Sequence, residues 1–585
     1  MKKNSINLPA ALLLAWVALA ACNKSFLQVQ PAGTVDESLL ANQNGVNQLL
    51  IGAYSMLDGI GGSDGNVESS ADNWIWGSMA ADDGNKGSDP SDNAPDMQEI
   101  ETWQYVATST YEPVLWSSRY AGVQRCNEVV RVIRLAKDIP ASDTAELIAE
   151  ARFLRGFYYF DLKKAFNMVP YLDENVDYSE GNWQVPNNVS IWPNIEADFQ
   201  FAMSNLPNTQ SAVGRANKYA AEAFLAKTYM FESKYAQAQP LLADLINNGV
   251  TAGGQKYGLL PKFSDNFCGQ TRNSEEAVFS CQFSVNDGSQ GANGNFGDAL
   301  NFPVSATGPG GCCGWFQPTY SLVNSYKTDS VTGLPEPSYF NYTDVTNDEG
   351  LLSSQPFTPY GGTLDPRLDW TVGRRGIPYL DWGPMPGFDW IRNQAFAGPY
   401  VGKKTSYYKA QAGTVVDASV VGLTVTNDNY AFIRFADVLL WAAECEVQVG
   451  SLDQAEVYVN MVRARAANPA DFVTNPDGTP AANYFIMQYP AGYFTAQGKT
   501  NAMTLVQFER KLELAMEGHR FFDLVRWGIA ETELNTNFVP YESQKYTVLK
   551  GAVFTKAAEY FPIPQTEIDE SAVNGKPTLT QNPIP

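Results

Sequence analysis

Apolar residues recur at helical spacing in several separated stretches of the chain, and the intervals between them are polar, glycine-rich and aromatic. Val46, Leu49, Leu50, Ala53, Tyr54 and Leu57 fall on one face of a 3.6-residue period, so a helix is expected just after Asn44. The same spacing returns over Glu112–Lys137, with Trp116, Tyr120, Val123, Asn127 and Val130, and over Asp143–Phe166. The second of these is aromatic on several faces, as expected of a helix buried on more than one side. Ile191–Leu206 is a further helix, with Pro193 tolerated in its first turn. Near the C-terminus, Phe508, Leu512, Ala515, Phe522 and the stem of Arg526 share a face, while Glu517, Arg520, Asp523 and Arg526 step by three along another. That spacing predicts one helix across Phe508–Gly528, with opposite charges as neighbours.

Leu225, Ala226, Tyr229, Ala238, Leu242 and Leu245 follow the ruler of a tetratricopeptide helix pair, and Ala443, Ala455, Val459 and Val462 repeat it within Phe432–Ala467. Alanine at such positions lets two helices cross closely. Between the two copies, Asn248–Asn429 is loop-like, yet too long and too aromatic to be a linker. The expected fold is therefore mainly α: a tetratricopeptide-like scaffold of helical pairs with long irregular insertions. Its parts are a scaffold over 44–248 and 430–530, a loop-rich insertion over 249–429 and a proline-marked tail over 531–585 that wraps the body, all in one domain over 44–585.

Composition narrows the chemistry. Hydrophobic residues make up 44% and the net charge is −23 with no basic run, which excludes a phosphate-backbone partner such as nucleic acid. His519 is the sole histidine, so multi-histidine metal centres are excluded, and no cofactor is expected. The string Gly61-Gly62-Ser63-Asp64-Gly65 has the form of a nucleophile elbow but sits in a polar loop, where it is read as chance. A carboxylate pair, as in glycoside hydrolysis, is the remaining enzymatic alternative, and nothing marks any pair as special. Asp82, Asp83, Asp89 and Asp92 could together hold calcium, although their spacing is not that of an EF-hand and a solvated acidic loop is the plainer reading.

The N-terminus carries an address. Lys2 and Lys3 precede an apolar run from Ala10 to Leu19, followed by Leu19-Ala20-Ala21-Cys22. The run is too short for a membrane span and has signal-peptide form. Small residues before a cysteine make a lipobox, so residues 1–21 are expected to be removed, Cys22 acylated, and 22–43 to serve as a tether.

Several strings together resemble the SusD/RagB family of surface nutrient-uptake lipoproteins. They are FERKLELAMEGHRFFDLVRWG at Phe508–Gly528, the Phe-Leu and Pro of NKSFLQVQPAG after Cys22, Asp365-Pro366-Arg367-Leu368, and EYFPIPQTE with PTLTQNP in the tail. The resemblance implies an outer-membrane lipoprotein, facing outward, that captures a nutrient and passes it to a SusC-like TonB-dependent transporter. It also implies a scaffold of tetratricopeptide type and an oligosaccharide as the usual cargo. A protein-binding tetratricopeptide scaffold without a small ligand is the alternative.

Sugar rings present apolar C–H faces and many hydroxyls, so their sites pair aromatic faces with hydrogen-bonding side chains. Two places combine these: Trp74 and Trp76 before Asp82 and Asp83, and the set Trp315, Trp382, Trp390 and Arg392 in the insertion. The resemblance places the first near the family's ligand surface. Cys312 and Cys313, adjacent and just before Trp315, are expected to bond to each other; Cys268 with Cys281 is a second pairing. Cys126 and Cys445 fall in helical patterns as buried thiols.

Overall fold

The computed structural model describes residues 37–60, 67–92, 96–176, 181–338 and 340–585. The signal peptide, Cys22, most of the tether and the Gly61–Gly65 string lie outside them.

The helices form where the apolar spacing places them: α1 (Gln43–Tyr54), α2 (Tyr111–Ile133), α3 (Ala141–Phe166), α4 (Trp192–Asn205), α5 (Lys218–Phe231) and α6 (Tyr235–Asn248). Side-chain caps start several of them. Asn42 accepts the Gly45 N–H before α1, and Asn217 accepts the Ala220 N–H before α5. From α2 onward each packs against the next in chain order, and α6 then packs against α7 (Phe435–Val449), across the whole insertion. The stack continues through α8 (Leu452–Ala466) and α9 (Tyr493–Glu513). The repeated small positions do what their spacing requires: Ala226, Ala238, Ala443 and Ala455 are all fully buried between crossing helices.

The insertion is pinched at its neck. Strand β1 (Ala277–Cys281) pairs antiparallel with β2 (Tyr430–Arg434), which places the two ends of the excursion side by side. Inside it are further short strands: β3 (Trp315–Pro318), paired with Gly84–Gly87 of the N-terminal loop, and β4 (Val372–Gly373) paired with β5 (Val401–Gly402). The loop around Trp74 and Trp76 is not a surface feature. It forms a π-helical turn over Trp74–Met79 and is buried almost throughout from Ser69 to Ser88. The tail packs on α3: the Phe561 N–H donates to Ala165 O, and the Asn582 amide donates to Phe166 O. It also forms short helical turns of its own, including α11 (Gln565–Glu570).

The closing stretch is a correction. It is two helices, α9 ending at Glu513 and α10 (Arg520–Arg526), separated by a turn in which Met516 and Gly518 have φ of 60° and 68°. Because of the break, Glu517 does not neighbour Arg520. Glu517 binds Arg434 and Lys404, Arg520 binds Asp82, and only Asp523 with Arg526 keeps the expected i,i+3 pair. The second cysteine pairing is also overturned, since Cys268 and Cys281 are free thiols. Cys126 and Cys445 are buried and free, and Cys312 is bonded to Cys313.

Buried carboxyls divide into two sets. Burial pushes Glu101, Glu542 and Asp428 up to about 7, and Glu112 to about 8. Glu517 and Asp523 are buried too, but Arg434 and Lys404 in one case, and Arg510 and Arg526 in the other, hold them below the usual carboxylate range. A raised carboxyl contributes stability that is complete below its unfolded pKa and lost as pH rises through the folded one; a depressed carboxyl does the reverse. The melting temperature is therefore expected to peak near about pH 5, with stability falling toward pH 8 through the raised set and below about pH 4 through the depressed set. A melting temperature that climbs steadily from pH 5 to pH 8 would contradict this assignment.

Candidate functional site

The sequence candidates separate into an interior group and a surface group. Trp74 is 1% exposed; its indole N–H donates to Gly297 O at 3.1 Å and its ring stacks on Phe316. Trp76 is equally buried, donates to Glu68 O and meets the Phe561 ring edge-on. Asp82 receives Lys511 at 2.8 Å and Arg520 at 2.7 Å. Burial would raise its carboxyl, but these two cations hold it well below the usual range. Asp83, beside it, is raised to about 6 by burial and by the Asp82 charge, and accepts the Met516 N–H. Asp82 and Asp83 fasten the N-terminal loop to α9, α10 and the turn between them, while Trp74 packs into the insertion and Trp76 against the tail, so none of the four offers a ligand an open surface. The cause is long-range: polar loop composition hid partners more than 400 residues away.

The second group is built by the insertion, but only Trp382 and Arg392 of it reach the surface; Trp315 and Trp390 are buried. Between Arg374 and Arg392 the backbone folds back on itself, with Met385 N–H donating to Ile377 O and Tyr379 N–H to Gly383 O. Trp382 stands at the tip of this turn, half-buried. Its indole N–H donates to Tyr407 O at 2.8 Å, the Tyr407 ring packs edge-on, and Lys409 Nζ lies 5.5 Å from the ring centroid. Trp382 touches two small apolar clusters, Tyr379–Met385–Trp390–Ile391–Val401 and Phe302–Tyr407–Val415, so it is pinned while keeping part of its ring open. Trp390 is buried behind it, edge-on to Tyr379, with its N–H on Thr307 Oγ1 at 3.3 Å. Gly308 lies so close to that indole that a Cβ would sit 2.9 Å from it.

Arg392 closes the lobe. Its Nε meets Asp89 at 2.7 Å and its Nη1 meets Asp92 at 3.0 Å, while the side chain stays 36% exposed. Asp92 Oδ2 also accepts the Trp315 indole N–H at 2.9 Å and the Ser88 hydroxyl at 2.7 Å. Pairing of β3 with Gly84–Gly87 brings this acidic loop beside Trp315, in register Gly87 to Trp315. The bonded Cys312–Cys313 sits one residue before Gly314, whose carbonyl accepts the Ser88 N–H at 2.7 Å. The four aspartates proposed for calcium do not converge: Asp82 serves Lys511 and Arg520, and Asp89 and Asp92 serve Arg392. Among the described residues no group of three or more His, Cys, Asp or Glu is arranged to hold a metal.

Sequence reading missed Phe388, 41% exposed beside Trp390, and the run Tyr407-Tyr408-Lys409 that backs Trp382. The signal was two adjacent tyrosines next to a cation in an otherwise polar stretch. The lobe thus offers a partly open indole, an exposed phenyl ring and an oriented guanidinium, a set suited to apolar ring faces bordered by hydroxyls. His519 has no part in it. It is half-buried, and desolvation with the nearby Lys227 charge lowers its pKa well below the ordinary histidine range.

A mostly helical scaffold carrying an irregular lobe of this kind defines a class of ligand-binding proteins, and sequence comparison places the chain within it. The chain belongs to the SusD family, whose sequence model matches residues 275–584; a second family model, described as starch-binding associating with outer membrane, matches 25–230. SusD-like protein P2 of Formosa agariphila is 25% identical over 418 residues, 70% of each chain. SusD-like protein P38 of the same organism is 23% identical over 541 residues, 90% of this chain and 92% of that one. Among solved structures, surface glycan-binding protein A from Bacteroides thetaiotaomicron in complex with laminarihexaose superposes with a TM-score of 0.65 at 20% identity, covering 92% of this chain and 99% of that one. A SusD-like protein from Bacteroides fragilis gives 0.67 at 19% identity, covering 94% and 98%. These likenesses establish the shared fold. Among the described residues no helix is long and apolar enough to cross a membrane.

Proposed function

We propose that this chain is a lipid-anchored glycan-binding protein of the outer membrane that captures an oligosaccharide at the cell surface and delivers it to a SusC-like TonB-dependent transporter, without acting on it chemically. The observation that carries the reading is the lobe of Trp382, Phe388 and Arg392 on a chain of the SusD family. Family membership supports the partner and the cargo class, and the lobe adds groups that suit a sugar. The Cys22 lipobox supports the anchor. Binding is favoured over hydrolysis because closely placed carboxylates such as Asp82–Asp83 lie inside the body, committed to internal partners.

Calorimetry against a panel of oligosaccharides is the test. Laminarin fragments are the first choice, because one structural neighbour is described as bound to laminarihexaose and another as laminarin-binding. Trp382→Ala is expected to weaken the binding partner from that panel by about tenfold to a hundredfold, the loss typical of removing a central aromatic contact. Trp74→Phe should change affinity little, since that ring is sealed inside. A folded protein that binds no member of the panel would overturn the glycan reading, whereas unchanged affinity in the Trp382 variant would move the site elsewhere.

A further inference from the structure

Away from this lobe, the C-terminal tail closes over the first long helix of the stack. Helix α11, the loop carrying Trp183 and the outer face of α2 together enclose a cavity of about 360 Å³, within the range of small-molecule sites. Trp116 and Tyr120, one turn apart on α2, line one wall with ring centroids 4.9 Å apart. The Tyr120 hydroxyl donates to Pro170 O at 2.7 Å, which fixes the ring. Trp183 lines the cavity from the loop side. Glu567 and Glu570, one turn apart on α11, line it from the tail, and Glu567 accepts a hydrogen bond from Trp116.

Charge balance is what distinguishes this cavity. Among the described residues that line it there is no lysine, arginine or histidine, so the half-buried Glu567 and the exposed Glu570 at its rim border the aromatic walls with no cation among the lining residues. Other carboxylates near the cavity are paired with cations. Glu174, on the loop that leads to Trp183, is held by Arg134 at 2.7 Å and Arg155 at 2.6 Å. Burial, together with the Glu570 charge beside it, raises the Glu567 carboxyl, and an added positive charge would offset that.

We propose that this cavity binds an organic cation, an ammonium or guanidinium group carried on an apolar or ring-shaped body. The cationic head lies between Glu567 and Glu570, and the body packs on Trp116, Tyr120 and Trp183, where the negative ring faces add a cation–π attraction. Two carboxylates favour a cation over a neutral guest of the same shape, and the aromatic walls favour one with an apolar body over an inorganic ion.

An isosteric charge series tests this on the purified full-length protein: 2-phenylethylammonium, 2-phenylethanol and phenylacetate, measured by titration calorimetry. The ammonium probe is expected to bind at least about tenfold more tightly than the alcohol, with phenylacetate weakest. In the double variant Glu567→Gln, Glu570→Gln that preference should vanish while the alcohol is bound as before. Should the double variant unfold, raising the salt concentration on the unmodified protein replaces it: ammonium binding should weaken and alcohol binding should not. Equal affinity for ammonium and alcohol would make this an apolar pocket only and overturn the proposal. So would an absence of ammonium binding at millimolar concentration. Glycan affinity at the Trp382 lobe is a separate readout, and the failure of either site leaves the other standing.

Discussion

Replacing Glu513 with glutamine is expected to destabilise the fold by about 3–5 kcal/mol, the range found when one partner of a buried ion pair is removed. Glu513 sits in a closed cluster of five cations, Arg367, Lys404, Arg434, Arg463 and Arg465, and five carboxylates, Glu276, Asp365, Glu509, Glu513 and Glu517. It is joined to three of the guanidiniums: Arg367 and Arg434, each at 3.0 Å, and Arg465. Burial alone would raise its carboxyl; Arg465, Arg434 and Arg367 hold it far below the usual range instead. Glutamine keeps the shape but leaves one uncompensated positive charge in the interior and turns an amide N–H₂ toward a guanidinium. Denaturant unfolding monitored by tryptophan fluorescence reads the loss. A change below about 1 kcal/mol would mean that water or a local shift neutralises the cluster, and the argument from charge balance would fail.

The second large effect is expected at Gly518, where alanine should cost about 3 kcal/mol or more. Two penalties add there. Its φ of 68° is one that side chains with a Cβ adopt at a cost of about 1–2 kcal/mol, and a Cβ would stand 2.2 Å from the Asp72 carbonyl oxygen. That obstacle is backbone and cannot rotate away. Gly77 faces the same crossing from the other side, with a built Cβ 1.8 Å from Gly518 O. Gly528 separates the two terms: it has φ of 67° with nothing within 4 Å of an added Cβ, so Gly528→Ala should cost only the conformational part. If the two alanine variants lose equal stability in the same unfolding measurement, the close approach of the two backbones contributes nothing.

Both predictions come from the stretch that also carries the family resemblance, and the structure shows why its residue pattern is so particular. Arg367 of the Asp365–Leu368 string binds Glu509 and Glu513 in α9, so two resembling strings separated by more than a hundred residues are halves of one ion cluster. Arg520 in α10 reaches back to Asp82 in the N-terminal loop. Charges that looked like one helix's neighbours are cross-links between distant parts of the chain.

Helix positions were legible from the residues because a buried stripe at 3.6 spacing is a local property, and Ala226, Ala238, Ala443 and Ala455 mark close crossings in any context that stacks them. The adjacency of Cys312 and Cys313 likewise needed no tertiary information to pair them. The break between Glu513 and Arg520 was not legible, since the positive-φ turn at Met516 and Gly518 packs against Asp72 and Asp83 from another part of the chain. Nor could composition tell an open tryptophan from a sealed one. Trp74 and Trp382 both sit in polar loops, but one is closed over by Phe316 and Gly297, and the other is left half-open at the tip of a turn. The sequence by itself determined the helices, the family and the kinds of residue available for binding. Only the tertiary structure decided which of them face outward, because exposure depends on partners that the chain brings together from hundreds of residues apart.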